Sequence, residues 1–186
     1  MRMTAFAITL VLTLFTASAQ AVESEFQITP RFGRGELRID EFRGREGDIG
    51  ELETFGLGVT FGFLTPVGLV LAGGFESYGN LTFFNATDQF TIEQEFLALG
   101  YQFELGDGWR LVPQVGRGRW ELTSEEGQLF HPGPEETDRL HGYENFWELT
   151  FARRVNRVMA LGVSARGAEF DFGRSRSIAF VMAFGF

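Results

Sequence analysis

Across residues 54–64 the chain alternates without a fault. Phe55, Leu57, Val59, Phe61 and Phe63 take one side, and Thr54, Gly56, Gly58, Thr60 and Gly62 take the other. A period of two sends successive side chains to opposite faces of a strand, so this strand is predicted to be greasy on one face and nearly bare on the other. Residues 177–186 repeat the pattern, with Ile178, Phe180, Met182, Phe184 and Phe186 against Ser177, Ala179, Val181, Ala183 and Gly185. Similar alternation predicts strands over 67–78 and 90–104, one from Trp109 onward, and two more over 143–152 and 159–166. A weaker stretch, 31–42, sets Leu37 and Ile39 against Arg34, Glu36, Arg38 and Asp40. Phe96 and Phe146 fall on the polar side, and Trp120 and Leu122 break the phase of the fifth strand, so bulges or interior aromatics are expected there.

The connections alternate in length. Short ones fall at 65–67, 105–108 and 154–157, and long polar ones at 43–52, 78–89, 123–142 and 167–176. Pairing across each short turn keeps the polar faces on a common parity, which describes one continuous polar surface. A soluble sandwich also alternates. Here, however, each good strand carries four or five apolar residues on one face, which at ~3.3 Å per residue and a tilt of ~40° covers the ~25 Å apolar band of a membrane barrel. The expected fold is all-β: an eight-stranded antiparallel up-and-down transmembrane β-barrel occupying residues 22–186.

The N-terminus reads as an export signal. Arg2 precedes an apolar stretch over residues 5–15, and Ala19-Gln20-Ala21 offers the small-x-small pattern of a cleavage site, so residues 1–21 are expected to be removed. That apolar run is shorter than the ~20 residues a helical span needs.

Composition narrows the function classes. The 186 residues are 44% hydrophobic and 22% charged, which excludes disorder. A net charge of −9 speaks against a nucleic-acid partner, because phosphate neutralisation needs clustered cations. Cysteine is absent, which removes disulfides and thiolate sites. An eight-stranded barrel has a bore just wide enough for side chains. Candidate bore charges are Arg34, Glu36, Arg38, Asp40, Glu76, Glu104, Arg110, Glu144, Glu148, Arg154 and Arg166. Register arithmetic sets Glu104 opposite Arg110 near a short turn and Glu148 diagonal to Arg166. The expected lumen network is Arg38, Glu76, Glu104, Arg110, Glu148 and Arg166, with mixed signs that satisfy one another.

With a signal, eight amphipathic strands and a terminal aromatic in place, the chain resembles the small outer-membrane barrels of the OmpA transmembrane-domain and opacity-protein type. The resemblance implies a monomer in a bacterial outer membrane with both chain termini in the periplasm. Its surroundings would be membrane lipid and lipopolysaccharide, its extracellular ligand is left open, and no cofactor is implied. It further implies that Ile178, Phe180, Met182, Phe184 and Phe186 form the signature read by the outer-membrane assembly machinery. The role expected is structural or surface-binding and non-enzymatic.

Two alternatives remain beside it. One is a lipid A acyl-modifying enzyme at the extracellular rim. The deacylase family resembling PagL uses a His-x-Ser pair on a late strand, whereas the seventh strand here holds Ser164 and no histidine. The palmitoyltransferase family resembling PagP places a His, an Asp and a Ser at the rim, for which only His131, His141, Ser77 and Asp88 are at hand. His131, Glu135, Glu136, Asp138 and His141 match no metal-site spacing, and no metal is expected. The other alternative is a narrow solute channel, as suggested for OmpW-like relatives. N-terminal sequencing of membrane-extracted protein should give Val22 as the first residue; a chain still beginning at Met1 would overturn the export reading.

Overall fold

The computed structural model describes residues 24–42, 45–79, 90–124, 138–171 and 173–185. Nine strands follow one another: β1 (Glu25–Phe42), β2 (Arg45–Leu64), β3 (Leu69–Gly79), β4 (Phe90–Tyr101), β5 (Phe103–Gly106), β6 (Trp109–Ser124), β7 (Asp138–Arg154), β8 (Met159–Phe170) and β9 (Gly173–Gly185). Both β4 and β5 pair with β6, so together they act as one strand interrupted at Gln102. Each strand pairs antiparallel with its sequence neighbours, and β1 pairs with β9, which closes an eight-stranded barrel.

The stagger follows from the pairings. A row started at Phe26 passes through Phe63, Leu71, Leu99, Val115, Trp147, Gly167 and Arg176 and returns to β1 at Glu36, ten residues further on. For eight strands this shear gives a strand tilt of about 40° and a backbone radius of about 8 Å. A cylinder that narrow leaves room for side chains and little else.

Polar faces turn inward and apolar faces outward, the reverse of a soluble sandwich. Leu57, Leu97 and Ile178 are 59%, 75% and 68% exposed, while Gln94, Arg110 and Glu144 are buried. Near the short turns the belt ends in aromatics: Trp109 stacks on Phe151 at 4.6 Å and Tyr101 lies 4.7 Å from Phe103. Such a girdle, under an apolar belt, is the outer surface of a membrane-spanning β-barrel. The turn between β5 and β6 places Gly106, Asp107 and Gly108 all at positive φ, which accounts for the two glycines.

Two expectations change, and one open choice is decided. Residues 45–52, 167–170 and 173–176, expected in long loops, are strand, since β2 begins at Arg45, β8 reaches Phe170 and β9 starts at Gly173. Backbone pairing thus extends well beyond the belt, where polar side chains mask it from a search for greasy alternation. The first strand begins at Glu25 and its phase is inverted: Arg34 and Glu36 face outward with Phe26 and Phe32, and Arg31 and Leu37 are buried inside. Of the bulge and the interior aromatic expected at Trp120 and Leu122, the second is found: both keep the phase of β6, whose pairing with β4 runs without a bulge. They are simply interior.

Phe61, midway up the outward row of β2, is the place to test which face meets hydrocarbon. Phe61→Arg should cost roughly 2–4 kcal/mol of folding stability in bilayers, and Glu53→Arg above the belt less than about 1 kcal/mol. Urea titration of both variants in lipid vesicles measures the difference, and equal mild effects would mean the outward assignment is wrong.

Candidate functional site

The strongest concentration of chemistry is inside the barrel, in its upper half. Arg31 on β1, Glu76 on β3, Glu144 and Glu148 on β7, and Arg166 on β8 all point inward and are all buried. Glycines make the room. A Cβ at Gly58 would stand 2.6 Å from Glu76 Cγ and 3.1 Å from Arg31 Cγ, so the cluster occupies the space a side chain there would fill.

Glu76 is the hub. Its Oε1 receives Arg31 Nε at 2.5 Å, and its Oε2 accepts from both Arg166 and the Tyr78 hydroxyl in very short contacts. Arg31 Nη1 donates to Glu148 Oε2 at 2.7 Å and its Nη2 to Ser164 Oγ at 3.2 Å. Thr150 supports the other Glu148 oxygen at 3.2 Å. Arg166 Nη2 donates to Glu144 Oε1 at 3.0 Å. Arg166 is also held between rings, its guanidinium carbon 3.6 Å from the Phe146 centroid and 4.8 Å from that of Phe96. The two aromatics that fell on the polar side of their strands are therefore cation–π partners, and Phe96 meets Phe146 edge-on at 5.3 Å.

The cluster is enclosed above and below. On the loop side, Leu37, Ile92, Trp120 and Leu122 bury one another, with Tyr78, Leu140 and Phe170 packed against them. On the turn side lie Leu64, Val70, Ala72, Ala98 and Val112, and the smaller group Ala152, Ala160 and Ala183. Below these, a second polar layer closes the base. Arg110 donates to Gln102 at 3.4 Å, Gln102 donates to Glu104 at 2.7 Å, and Arg154 pairs with Glu25 at 3.5 Å.

The residues anticipated for a lumen network thus fall into three places. Glu76, Glu148 and Arg166 meet in the upper cluster. Glu104 and Arg110 are opposed in register as expected, with Gln102 hydrogen-bonded to both, in the base. Arg38 joins neither, because the inverted phase of β1 carries it away from the bore; it stands opposite Arg174 and Glu51 in the pairing. Glu148 is directly across from Arg166 rather than diagonal, yet its ion pair is with Arg31. Arg31 was missed because the first strand was cut short at that residue, before the apolar run Phe26, Ile28, Pro30 and Phe32 that fixes its phase. Of the β9 aromatics and aliphatics, Ile178 and Phe180 are exposed on the belt and Met182 and Phe184 partly so, while Phe186 lies outside the described residues. His131 and the segment 1–21 lie outside them too. Among the described residues no group of His, Asp and Glu could hold a metal ion.

Comparison with solved structures settles what this cylinder is like. Neisserial surface protein A superposes with a TM-score of 0.71 at 11% identity, covering 87% of this chain and 97% of that one. The chain has the fold of a small outer-membrane barrel. The barrel also matches Ail, the attachment invasion locus protein of Yersinia pestis (TM-score 0.62, 9% identity, 89% and 100% covered). A third match is the N-terminal β-barrel domain of Pseudomonas aeruginosa OprF (0.59, 13%, 88% and 98%). No protein-family model matches the chain, and no curated protein matches it in sequence.

Because Glu76 bridges two guanidiniums, its loss leaves each buried with a single carboxylate, Glu148 for Arg31 and Glu144 for Arg166, and with a donor that has lost its acceptor. Glu76→Ala should destabilise the folded barrel by about 3–5 kcal/mol, against a much smaller loss for the exposed Arg34→Ala, whose pair with Glu53 sits in water. Urea midpoints in detergent micelles measure both.

Proposed function

We propose that this protein is an integral outer-membrane barrel that conducts nothing and catalyses nothing, and serves as a rigid anchor for the hairpins it raises above the membrane. The observation that carries this reading is the enclosure of the ion cluster. Two dry layers lie across the bore, one of Leu37, Ile92, Trp120 and Leu122 and one of Leu64, Val70, Ala72 and Val112. An ion crossing either would leave its hydration shell without replacement, at a cost of many kcal/mol. The Glu/Arg cluster then acts as a plug that fixes interior packing. Export through residues 1–21 and insertion guided by the β9 side chains Ile178, Phe180, Met182, Phe184 and Phe186 complete the reading, with the monomer surrounded by membrane lipid and lipopolysaccharide.

Two further points support it over the alternatives. Ser164, the serine on the strand where the deacylase family has its His-x-Ser pair, is 1% exposed, faces the bore and is hydrogen-bonded to Arg31, out of reach of any lipid outside the barrel. The β1–β2 and β6–β7 hairpins continue past the belt to Phe42 and Arg45 and to Ser124 and Asp138, which suits presentation of a surface to the exterior. Ail, whose fold this chain shares, is described as an attachment protein and has been crystallised with the heparin analogue sucrose octasulfate. A surface-binding role of that kind is the finer form of this proposal.

Planar-bilayer recordings of the purified barrel should show no discrete openings, and lipid A from cells with and without the protein should give the same acyl pattern by mass spectrometry. Reproducible single-channel steps would overturn the sealed-bore reading, and an altered acyl pattern the non-enzymatic one.

A further inference from the structure

Just above the apolar belt, the outer surface is not uniform around the barrel. Over β7, β8, β9 and β1 it is hollowed by two adjoining grooves of about 520 and 900 Å³ that share Trp147 and Arg176. The hollow has a simple origin. Gly167 lies between Trp147 and Arg176 in the pairing, and with no side chain of its own it lets the Trp147 indole lie across it: a Cβ at Gly167 would be 2.6 Å from Trp147 Nε1. The lower wall is apolar, with Ile178, Ala165 and Val115, and the upper wall carries Arg174 and Arg176 together with Glu36 and Glu169.

Those two guanidiniums are exposed, and among the described residues neither has an ion-pair or hydrogen-bond partner. Arg34 at the groove edge is already tied to Glu53 at 3.0 Å. Glu36 and Glu169 stand opposite Arg176 and Arg174 in the pairing without bonding them. On the far side of the barrel, at the same height once the stagger is allowed for, a third groove of about 560 Å³ is lined by Glu93, Glu95 and Glu121 with Arg119. One side of the rim presents two unbonded guanidiniums, with Glu36 and Glu169 beside them, over an apolar floor, and the other sets three carboxylates and one guanidinium around Leu57, Val59 and Phe75.

We propose that the β7–β8–β9–β1 groove is a docking site for a phosphorylated outer-leaflet lipid of the lipid A type, its phosphate held by Arg174 and Arg176 and an acyl chain laid over Ile178, Ala165 and Trp147. Only an amphiphile with an anionic head meets both walls at this level: guanidiniums match phosphate as paired planar donors, and the indole sits at the boundary between hydrocarbon and headgroup, where tryptophan is favoured. The proposal rests on the outer-membrane reading above and adds which face the lipid chooses.

The experiment uses the whole folded barrel in phosphatidylcholine bilayer discs, with insertion and folding checked first by the different gel migration of unboiled and boiled samples. Bisphosphorylated lipid A is then titrated against the wild type, the double variant Arg174→Gln/Arg176→Gln, and Arg119→Gln on the acidic side, with retained lipid counted by native mass spectrometry. The double variant should bind roughly ten- to thirtyfold more weakly, and Arg119→Gln should match the wild type. Dephosphorylated lipid A should bind the wild type about as weakly as bisphosphorylated lipid A binds the double variant. Equal binding by all three proteins, an equal loss in Arg119→Gln, or indifference to the phosphates would each overturn the site while leaving the barrel reading intact. A wild type that never enters the discs would instead defeat that reading itself.

Discussion

Hydrocarbon offers a backbone amide nothing to bond, so a strand that crosses it must be paired on both sides, and a sheet that crosses it must close on itself. That constraint fixes the β1–β9 seam, and the seam with its ten-residue stagger fixes the radius. The radius in turn decides what the interior can be. At about 8 Å the backbone cylinder must be filled by its own side chains, and filling it needs large residues set against glycines. Gly58 beneath Glu76 and Arg31, and Gly116 beneath Phe146, are such complements. Burial of six charges among the described residues, Arg110 in the base and the five of the upper cluster, follows from the same narrowness: polar groups cannot face lipid, so they face each other, and they are kept because most of their oxygens and nitrogens find a partner.

Most of the membrane-spanning architecture could be read from residue order, because the bilayer enforces a strict rule there. In β2 and β9 every second side chain meets hydrocarbon, and any lapse would be costly, so the alternation is clean. Above the belt that enforcement ends. Arg34 and Glu36 can face outward into the headgroup region and Leu37 inward against Trp120, so the rule of greasy outside and polar inside reverses its apparent sign. Only the lower half of β1, with Phe26, Ile28 and Phe32, carries the true phase. The same lapse hid the strand character of 45–52, 167–170 and 173–176, where paired backbone carries many polar residues and no clean greasy alternation.

The interior cluster was only half legible for a different reason. Parity identifies which residues share the bore, and it brought Glu76, Glu144, Glu148 and Arg166 together on that ground. It says nothing of which guanidinium reaches which carboxylate. Arg166 stands across from Glu148 in the pairing yet bonds Glu76 and Glu144, because long side chains lean along the bore and Phe96 and Phe146 clamp the guanidinium from either side. Arg31 then takes the carboxylate left over. Pairing across a cavity is set by volume and rotamer, neither of which a one-dimensional pattern contains.

The closing seam joins the most distant parts of the chain: Gln27 pairs with Gly185 and Ile28 with Phe184, and Glu25 leans over Gly185 to meet Arg154. Every other ladder links neighbours and can zip as soon as its two strands exist. The seam alone must wait for both ends of the polypeptide, so it pays the largest loop-closure entropy and is the slowest contact to mature. Until it forms, the nascent sheet has two raw edges, each able to capture a foreign strand. Quality control of this molecule is therefore concentrated at a single vertical line of hydrogen bonds, where fidelity is decided last.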